Sequence, residues 1–425
     1  MPCVDGRERR YVDLDAAAST GALPGVLARV REVLPWYSSV HRGAGYKSQV
    51  ATARYEDAHL TVRWFAGRSE GDDVAIICRN TTEAINHLAY RLALEAGDVV
   101  VTTVVEHHAN LLPWARVATR RFVECEPDGT FGVAAVRAAL DAAPRPRLLA
   151  ITGASNVTGW LPPLDAIIAC AHEREILVAV DAAQLAPHRP LPAAADFVAF
   201  SGHKMYAPFG AGALVGPRAT FARGDPFLVG GGAVARVDLD EVVWLPPPER
   251  EEAGSPNVIG AVALAEAARE LVALGWPRIA AHDARLARAL RDGLRAIPGV
   301  RVLGPGPGAD TLPIAAFVIE GVPHALVAAR LSCELAIGVR HGCFCAHPYL
   351  VRLLGLDERE LAHFRAAAAR GDRRDLPGAV RASAGLSTTL ADIEALLDGV
   401  AAMASGAPPP VPYAQDAATG DYRPA

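Results

Sequence analysis

Short blocks of apolar residues recur through the first half of the chain: Val74 to Cys78, Val99 to Val105, Leu148 to Thr152, Leu177 to Val180, Phe197 to Phe200 and Gly212 to Val215. Runs this short and this continuous predict strands buried on both faces. Segments with helical spacing lie between them. Asn80-Thr81-Thr82-Glu83 opens a helix whose apolar face is Ala84, Ile85, Leu88, Ala89 and Leu92, and further helices are predicted near Leu111 to Ala118 and from Leu164 to Glu173. Strand and helix in alternation imply a mostly parallel sheet with helices on both faces, an α/β architecture whose reactive groups belong at the carboxyl ends of the strands.

Upstream, Tyr11 to Thr20 reads as a short strand and a small-residue turn, followed by a helix from Leu23 to Leu34, a polar loop over Ser38 to Ser48 and a helix from Val50 to Phe65. Downstream, Pro246 to Asn257 is expected to be an exposed loop, with helices from Val258 to Leu274 and Ile279 to Ile297 after it. The run Gly304-Pro305-Gly306-Pro307-Gly308 breaks the chain before strand and helix patterns resume. The expected division is a large domain over 25–282, a smaller α+β domain from 1–24 and 283–405, and a tail over 406–425 rich in Pro, Ala and Asp, read as disordered or draped over the surface.

A length of 425 residues suits two domains, and a net charge of −5 gives no reason to expect nucleic acid or a membrane surface as partner. The polar start and the lack of a long apolar run predict a cytoplasmic protein. Seven scattered cysteines, an odd count, suggest free thiols in a reducing compartment.

The strand Phe197 to Phe200 stops at Ser201-Gly202-His203-Lys204, delivering one lysine to a turn. Just upstream, Val178-Ala179-Val180 ends in Asp181. A lysine that can bind an aldehyde and an acid that can hold a pyridinium nitrogen protonated are the two anchors required by pyridoxal 5'-phosphate. A solvated surface lysine is the plain alternative. The polar start of the Asn80–Glu83 helix, whose Thr and Asn would otherwise serve only as caps, could also hold a phosphate.

These stretches occur together with Tyr11-Val12-Asp13-Leu14-Asp15-Ala16-Ala17, Val40-His41-Arg42-Gly43, Glu106-His107-His108-Ala109-Asn110, Ser155-Asn156-Val157-Thr158-Gly159, Asp181-Ala182-Ala183-Gln184 and Arg381-Ala382-Ser383. In this order the chain resembles the class V aminotransferase group of fold-type I pyridoxal-phosphate enzymes, and within it the SufS-like cysteine desulfurases. The resemblance implies a seven-stranded-type sheet and a homodimer. It gives Lys204 the cofactor aldehyde, Asp181 the pyridinium nitrogen, Gln184 the ring hydroxyl, and His107 a place on the ring with proton handling. Thr82, Ser201 and His203 would hold the phosphate, with Ser255 supplied by the other subunit. Asn156 would also contact the cofactor, and Arg381, Arg340 and His41 would bind substrate.

The stretch Val339-Arg340-His341-Gly342-Cys343-Phe344-Cys345-Ala346-His347-Pro348 carries the expected reaction. By the same resemblance Cys345 is the nucleophile that takes sulfur from L-cysteine, leaving a persulfide and L-alanine, with a sulfur-acceptor protein as a further possible partner; Cys343 could resolve the persulfide, relay it or be a bystander. Molybdenum-cofactor sulfurases have a similar stretch. Other readings stay open: transamination, epimerisation or C–S lyase chemistry with no catalytic cysteine; a scaffold without activity; buried inert thiols; or a metal held by His341, Cys343, Cys345 and His347 along an extended strand, although no metal is expected. The chain departs from the family pattern at Gly45-Tyr46-Lys47 and in a long connection from Tyr349 to Val380.

Overall fold

The computed structural model describes residues 1–41 and 43–425; Arg42, in the His-Arg-Gly stretch quoted above, lies outside the described residues. A seven-stranded sheet is built from β1 Asp73–Cys78, β2 Val99–Thr103, β3 Thr119–Val123, β4 Pro146–Thr152, β5 Leu177–Asp181, β6 Phe197–Ser201 and β7 Gly212–Pro217. Its order is β1-β7-β6-β5-β4-β2-β3, with β7 antiparallel to both neighbours and every other pair parallel. Successive residues of a strand go to opposite faces. In β4, Leu148 and Ala150 join the core beneath the helix Thr81–Arg91, while Leu149 and Ile151 join the larger core shared with the helices Val133–Asp141, Leu164–His172 and Val258–Leu274. Both faces of the interior strands are covered, which is why those strands read as unbroken apolar runs; the edge strand β3, Thr-Arg-Arg-Phe-Val and mostly exposed, carries no such run and was not expected.

A second, antiparallel sheet comprises β8 Val300–Leu303, β9 Ile314–Ile319, β10 Arg340–Gly342 and β11 Ala379–Ser383, in the order β8-β9-β11-β10. It has its own core, in which Phe317, Val380 and Ala382 meet Leu286, Leu290 and Leu294 of the helix Trp276–Arg295 and Leu396 and Val400 of the helix Leu390–Ala404. No helix among the described residues is long and apolar enough to cross a membrane.

Several expectations are corrected. Leu111 to Ala118 does not form a helix. It follows one 3-10 turn, His108–Asn110, and contains a second, Pro113–Arg116, because Pro113 has no N–H to donate to a helical ladder. The helix predicted from Val50 starts at Tyr46. The Pro246–Asn257 loop is not exposed throughout: Arg250 and Glu251 are buried, Arg250 on the carbonyl of Ala222 and Glu251 on His87 Nε2 at 2.6 Å, since charge enters a core only when paired. The tail is neither disordered nor merely draped over the surface. It forms a hairpin, β12 Tyr413–Gln415 and β13 Tyr422–Pro424, whose turn reaches the main cavity.

Candidate active site

A cavity of about 580 Å³ opens where the carboxyl ends of β5 and β6 meet the edge strand β10 and the segments that follow it. Lys204 lines it from the 3-10 turn Gly202–Lys204, directly after β6. Gly202 lets that turn pack, because a Cβ there would sit 2.8 Å from the carbonyl oxygen of Ala211 and 3.0 Å from that of Ala207. Asp181, the last residue of β5, lies in the same cavity and accepts the Ala183 N–H at 3.0 Å. Burial lowers Lys204 to about 8 against the pull of Asp181, and raises the carboxyl of Asp181 against the pull of Lys204. The amine is therefore unprotonated in a sizeable fraction of molecules near neutral pH.

The helix Thr81–Arg91 starts at the cavity wall. Asn80 caps it by accepting the Glu83 N–H, and Ser201 Oγ accepts the Thr81 N–H at 2.8 Å while lying 2.7 Å from Thr81 Oγ1. Ser201 thus ties β6 to the helix. Thr82, next along and exposed, has no such partner for its N–H among the described residues, so an anion fits there. His203 also lines the cavity, with burial and Lys204 holding its imidazole below the usual range. His107 Nδ1 accepts the Ala109 N–H at 3.0 Å, which puts the proton of the neutral ring on Nε2; burial and then Lys204 lower it to about 3. Gln184 donates to Ala17 O at 2.7 Å, and Asn156 donates to Phe344 O at 2.7 Å. This buried lysine and acid, with an anion position at the start of a helix, fit pyridoxal phosphate.

Asp15 holds two arginines at the mouth: Arg340 NH2 at 2.8 Å and Arg381 NH2 at 3.0 Å. Buried Arg381 also donates to Asn156 O at 3.0 Å, and its Nε has no partner among the described residues. Cys345 is exposed in the loop after β10 and lines the same cavity as Lys204 and Arg381. Phe344 and Cys345 both have left-handed backbone, φ 55° and 54°, a conformation that costs a non-glycine residue roughly 1 kcal/mol or more. Asn156 on Phe344 O, the His108 N–H on Cys345 O at 2.8 Å, and the Arg381 guanidinium 5.1 Å from the Phe344 ring centroid hold the loop in this shape. The extended strand required for a four-ligand metal site stops at Gly342, and no group of three or more His, Cys, Asp or Glu residues among the described residues is placed to hold a metal.

Of the residues expected at the site, Lys204, Asp181, Gln184, His107, Thr82, Ser201, His203, Asn156, Arg381, Arg340 and Cys345 all line this one cavity. Ser255 and His41 do not; Ser255 is exposed, and the His41 ring packs edge-on against Tyr55. Sequence reasoning assigned no role to several residues found here, and considered His341 as a metal ligand. Glu106 is fully buried, accepts from Thr103 Oγ1, Asn110 Nδ2 and the Thr152 N–H, and is pushed up to about 8 by burial. The one available signal was an acid immediately before His107 at a strand end. Arg373, His324, His341, Thr419 and Gly420 line the outer part of the cavity.

This sheet, with a lysine and an acid at adjacent strand ends, defines the α/β fold of pyridoxal-phosphate transferases. The chain belongs to the class V aminotransferase family, whose description matches residues 12–396. It is 36% identical over 362 residues to a cysteine desulfurase of Klebsiella pneumoniae, covering 82% of this chain and 87% of that one, and 35% identical over 351 residues to a probable cysteine desulfurase of Vibrio cholerae, covering 80% and 85%. Among solved structures, the apo cysteine desulfurase of Thermococcus onnurineus superposes with TM-score 0.83 at 29% identity over 93% of this chain and 95% of that one. The cysteine desulfurase CsdA of Escherichia coli gives 0.78 at 31% over 92% and 94%.

Proposed function

We propose that this chain is a pyridoxal-phosphate cysteine desulfurase that removes sulfur from L-cysteine, releasing L-alanine and leaving a persulfide on Cys345. The observation that carries this reading is one cavity lined by Lys204, Asp181 and the exposed Cys345. The relatives named cysteine desulfurase support the same reading.

Lys204 and Asp181 would hold the cofactor aldehyde and ring nitrogen, with the Thr82 N–H, Ser201 and His203 around the phosphate. When bound, the group supplies an electron sink for charge developing on the substrate's α-carbon. Arg381, with its spare Nε and with Arg340 beside it, binds the substrate carboxylate and fixes its orientation. Lys204, partly unprotonated near neutral pH, takes the α-proton, and the Nε2–H of the neutral His107 ring is left as a hydrogen-bond donor facing the cavity. The Cys345 thiolate then attacks the substrate sulfur: the Sγ–S bond forms, the C–S bond breaks with its electron pair left on the carbon side, and a proton completes the methyl group of alanine. Seven free cysteines suit work in a reducing cytoplasm. A homodimer would bring Ser255 and His41 of one subunit toward the other's cavity, since neither reaches its own.

The test is alanine released from L-cysteine by the cofactor-loaded protein, compared across wild type, Cys345→Ala and Cys343→Ala. Loss of at least ~100-fold in Cys345→Ala alone is the expected result. Full activity in Cys345→Ala, or no alanine from a protein that visibly holds its cofactor, would favour transaminase, epimerase or lyase chemistry instead.

A further inference from the structure

The cavity is lined on one side by Thr419 and Gly420, which lie beyond residue 396 where the class V match ends, and by Arg373, His324 and His341, which lie within it. The hairpin turn between β12 and β13 is rigid: Asp416 Oδ1 accepts the N–H groups of Ala418 and Thr419 at 2.8 and 2.9 Å. It is pinned to the segment before β11 by the Arg373 N–H on Ala417 O at 2.9 Å and by Gln415 Nε2 on Arg374 O at 2.9 Å. Gly420, at φ 79°, packs so closely that a Cβ would lie 2.6 Å from Arg373 O. Asp421 meets His341 Nε2 at 3.1 Å and fastens the hairpin to β10, the strand leading to Cys345.

Arg373 is exposed and lines the cavity, and its guanidinium has no ion pair or hydrogen bond with any described residue; burial, and then the nearby Arg373 charge, hold His347 below the usual range. His324 Nε2 bonds the Leu376 carbonyl at 3.1 Å, so that nitrogen carries the proton and Nδ1 is a bare acceptor. His341, whose Nε2 is given to Asp421, is in the same state. Both Nδ1 atoms are buried without a partner, and the two rings lie 5.3 Å apart. Burial keeps both rings neutral at physiological pH.

We propose that Arg373, with the His324 and His341 rings and the Thr419–Gly420 turn as walls, forms an outer subsite that docks a small anionic thiol, the acceptor of sulfur from Cys345. The inference rests on the desulfurase reading for its chemistry and on geometry for its location. Arg373 takes the anionic group of the acceptor. The acceptor thiolate attacks the terminal sulfur of the Cys345 persulfide: the new S–S bond forms, the Cys345 Sγ–S bond breaks, Cys345 leaves as thiolate, and the terminal sulfur keeps its proton. No external oxidant or reductant is required.

The test uses the cofactor-loaded full chain and two alkylating probes of similar size, anionic iodoacetate and neutral iodoacetamide, with modification of Cys345 followed by peptide mass spectrometry. In the wild type, Arg373 raises the iodoacetate rate relative to iodoacetamide; in Arg373→Ala that ratio falls about tenfold, while the iodoacetamide rate holds. Arg373→Gln, which removes the charge but keeps a polar, hydrogen-bonding side chain, is expected to lower the ratio equally and serves if the alanine variant does not fold. An unchanged ratio in a folded variant overturns the proposal. Alkylation needs neither L-cysteine nor turnover, so a failed subsite and a failed desulfurase reading give different results. In turnover, the rate with 2-mercaptoethanesulfonate relative to 2-mercaptoethanol should fall in the same variants, and equal loss with both thiols would count against an anion subsite.

Discussion

At the scale of single residues, the site is governed by what burial does to charge. Lys204 is brought down to about 8 by desolvation, which makes an amine able to exchange protons at neutral pH. Glu106 is driven the other way, to about 8, although three donors surround it. A carboxyl whose folded-state pKa is raised binds its proton more tightly in the native state than in the unfolded chain. Its contribution to stability is therefore most favourable below about 4.5 and is lost as pH rises through about 8. Calorimetry from pH 5 to 9 should show Glu106→Gln losing less melting temperature across that range than wild type; parallel curves would mean that Glu106 is ionised in the native protein throughout. Lys204 and Asp181 were legible because each ends an apolar strand, and a polar side chain at that position has few other uses. Glu106 was visible only as a neighbour of His107, because its role depends on Thr152, 46 residues away.

At the scale of elements, the turn that carries Lys204 is packed tightly against backbone, and the loop that carries Cys345 is held in an unfavourable shape by its neighbours. Gly202→Ala places a Cβ against two backbone oxygens that cannot swing aside, so it should cost about 1–3 kcal/mol and displace Lys204. A lower melting temperature together with weakened cofactor absorbance is the expected readout, and a fully loaded variant with unchanged melting would refute the packing account. The interior strands were readable from short apolar runs, since a sheet covered on both faces leaves no polar alternation to confuse them, whereas the exposed edge strand Thr119–Val123 was missed because it is not an apolar run. The segment around Pro113 was misread because its apolar content resembles a helix while the proline denies the ladder a donor. The hairpin at 413–424 escaped notice because its strands are short and mostly polar, and it is held by contacts to Arg373, Arg374 and His341 rather than by a core of its own.

At the scale of the whole molecule, the ribbon Val234–Val237 and Val242–Trp244 projects apolar side chains into solvent: Leu239 is 103% exposed, with Val237, Val242 and Val243 also exposed. A lone chain gains nothing from that arrangement, whereas a second copy could cover it. Sedimentation velocity should give a dimer for wild type and a shift toward monomer for the double variant Leu239→Asp, Val243→Asp. A wild-type monomer at micromolar concentration would leave Ser255 and His41 without the cavity proposed for them.

The sequence by itself determined the α/β class, the strand ends that carry Asp181 and Lys204, and the loop that carries Cys345, because each depends on local periodicity or on a chemically unusual residue at an element boundary. Only the tertiary structure decided which charges are shared and which are left free. Asp15 pairs with Arg340 and Arg381 from more than 300 residues away, and Thr419 and Gly420 of the hairpin return to the cavity beside Arg373, whose guanidinium has no partner among the described residues. Such pairings arise from where the sheets and the tail bring distant side chains together, and burial then sets the energy of each; neither leaves a mark on the local pattern of the chain.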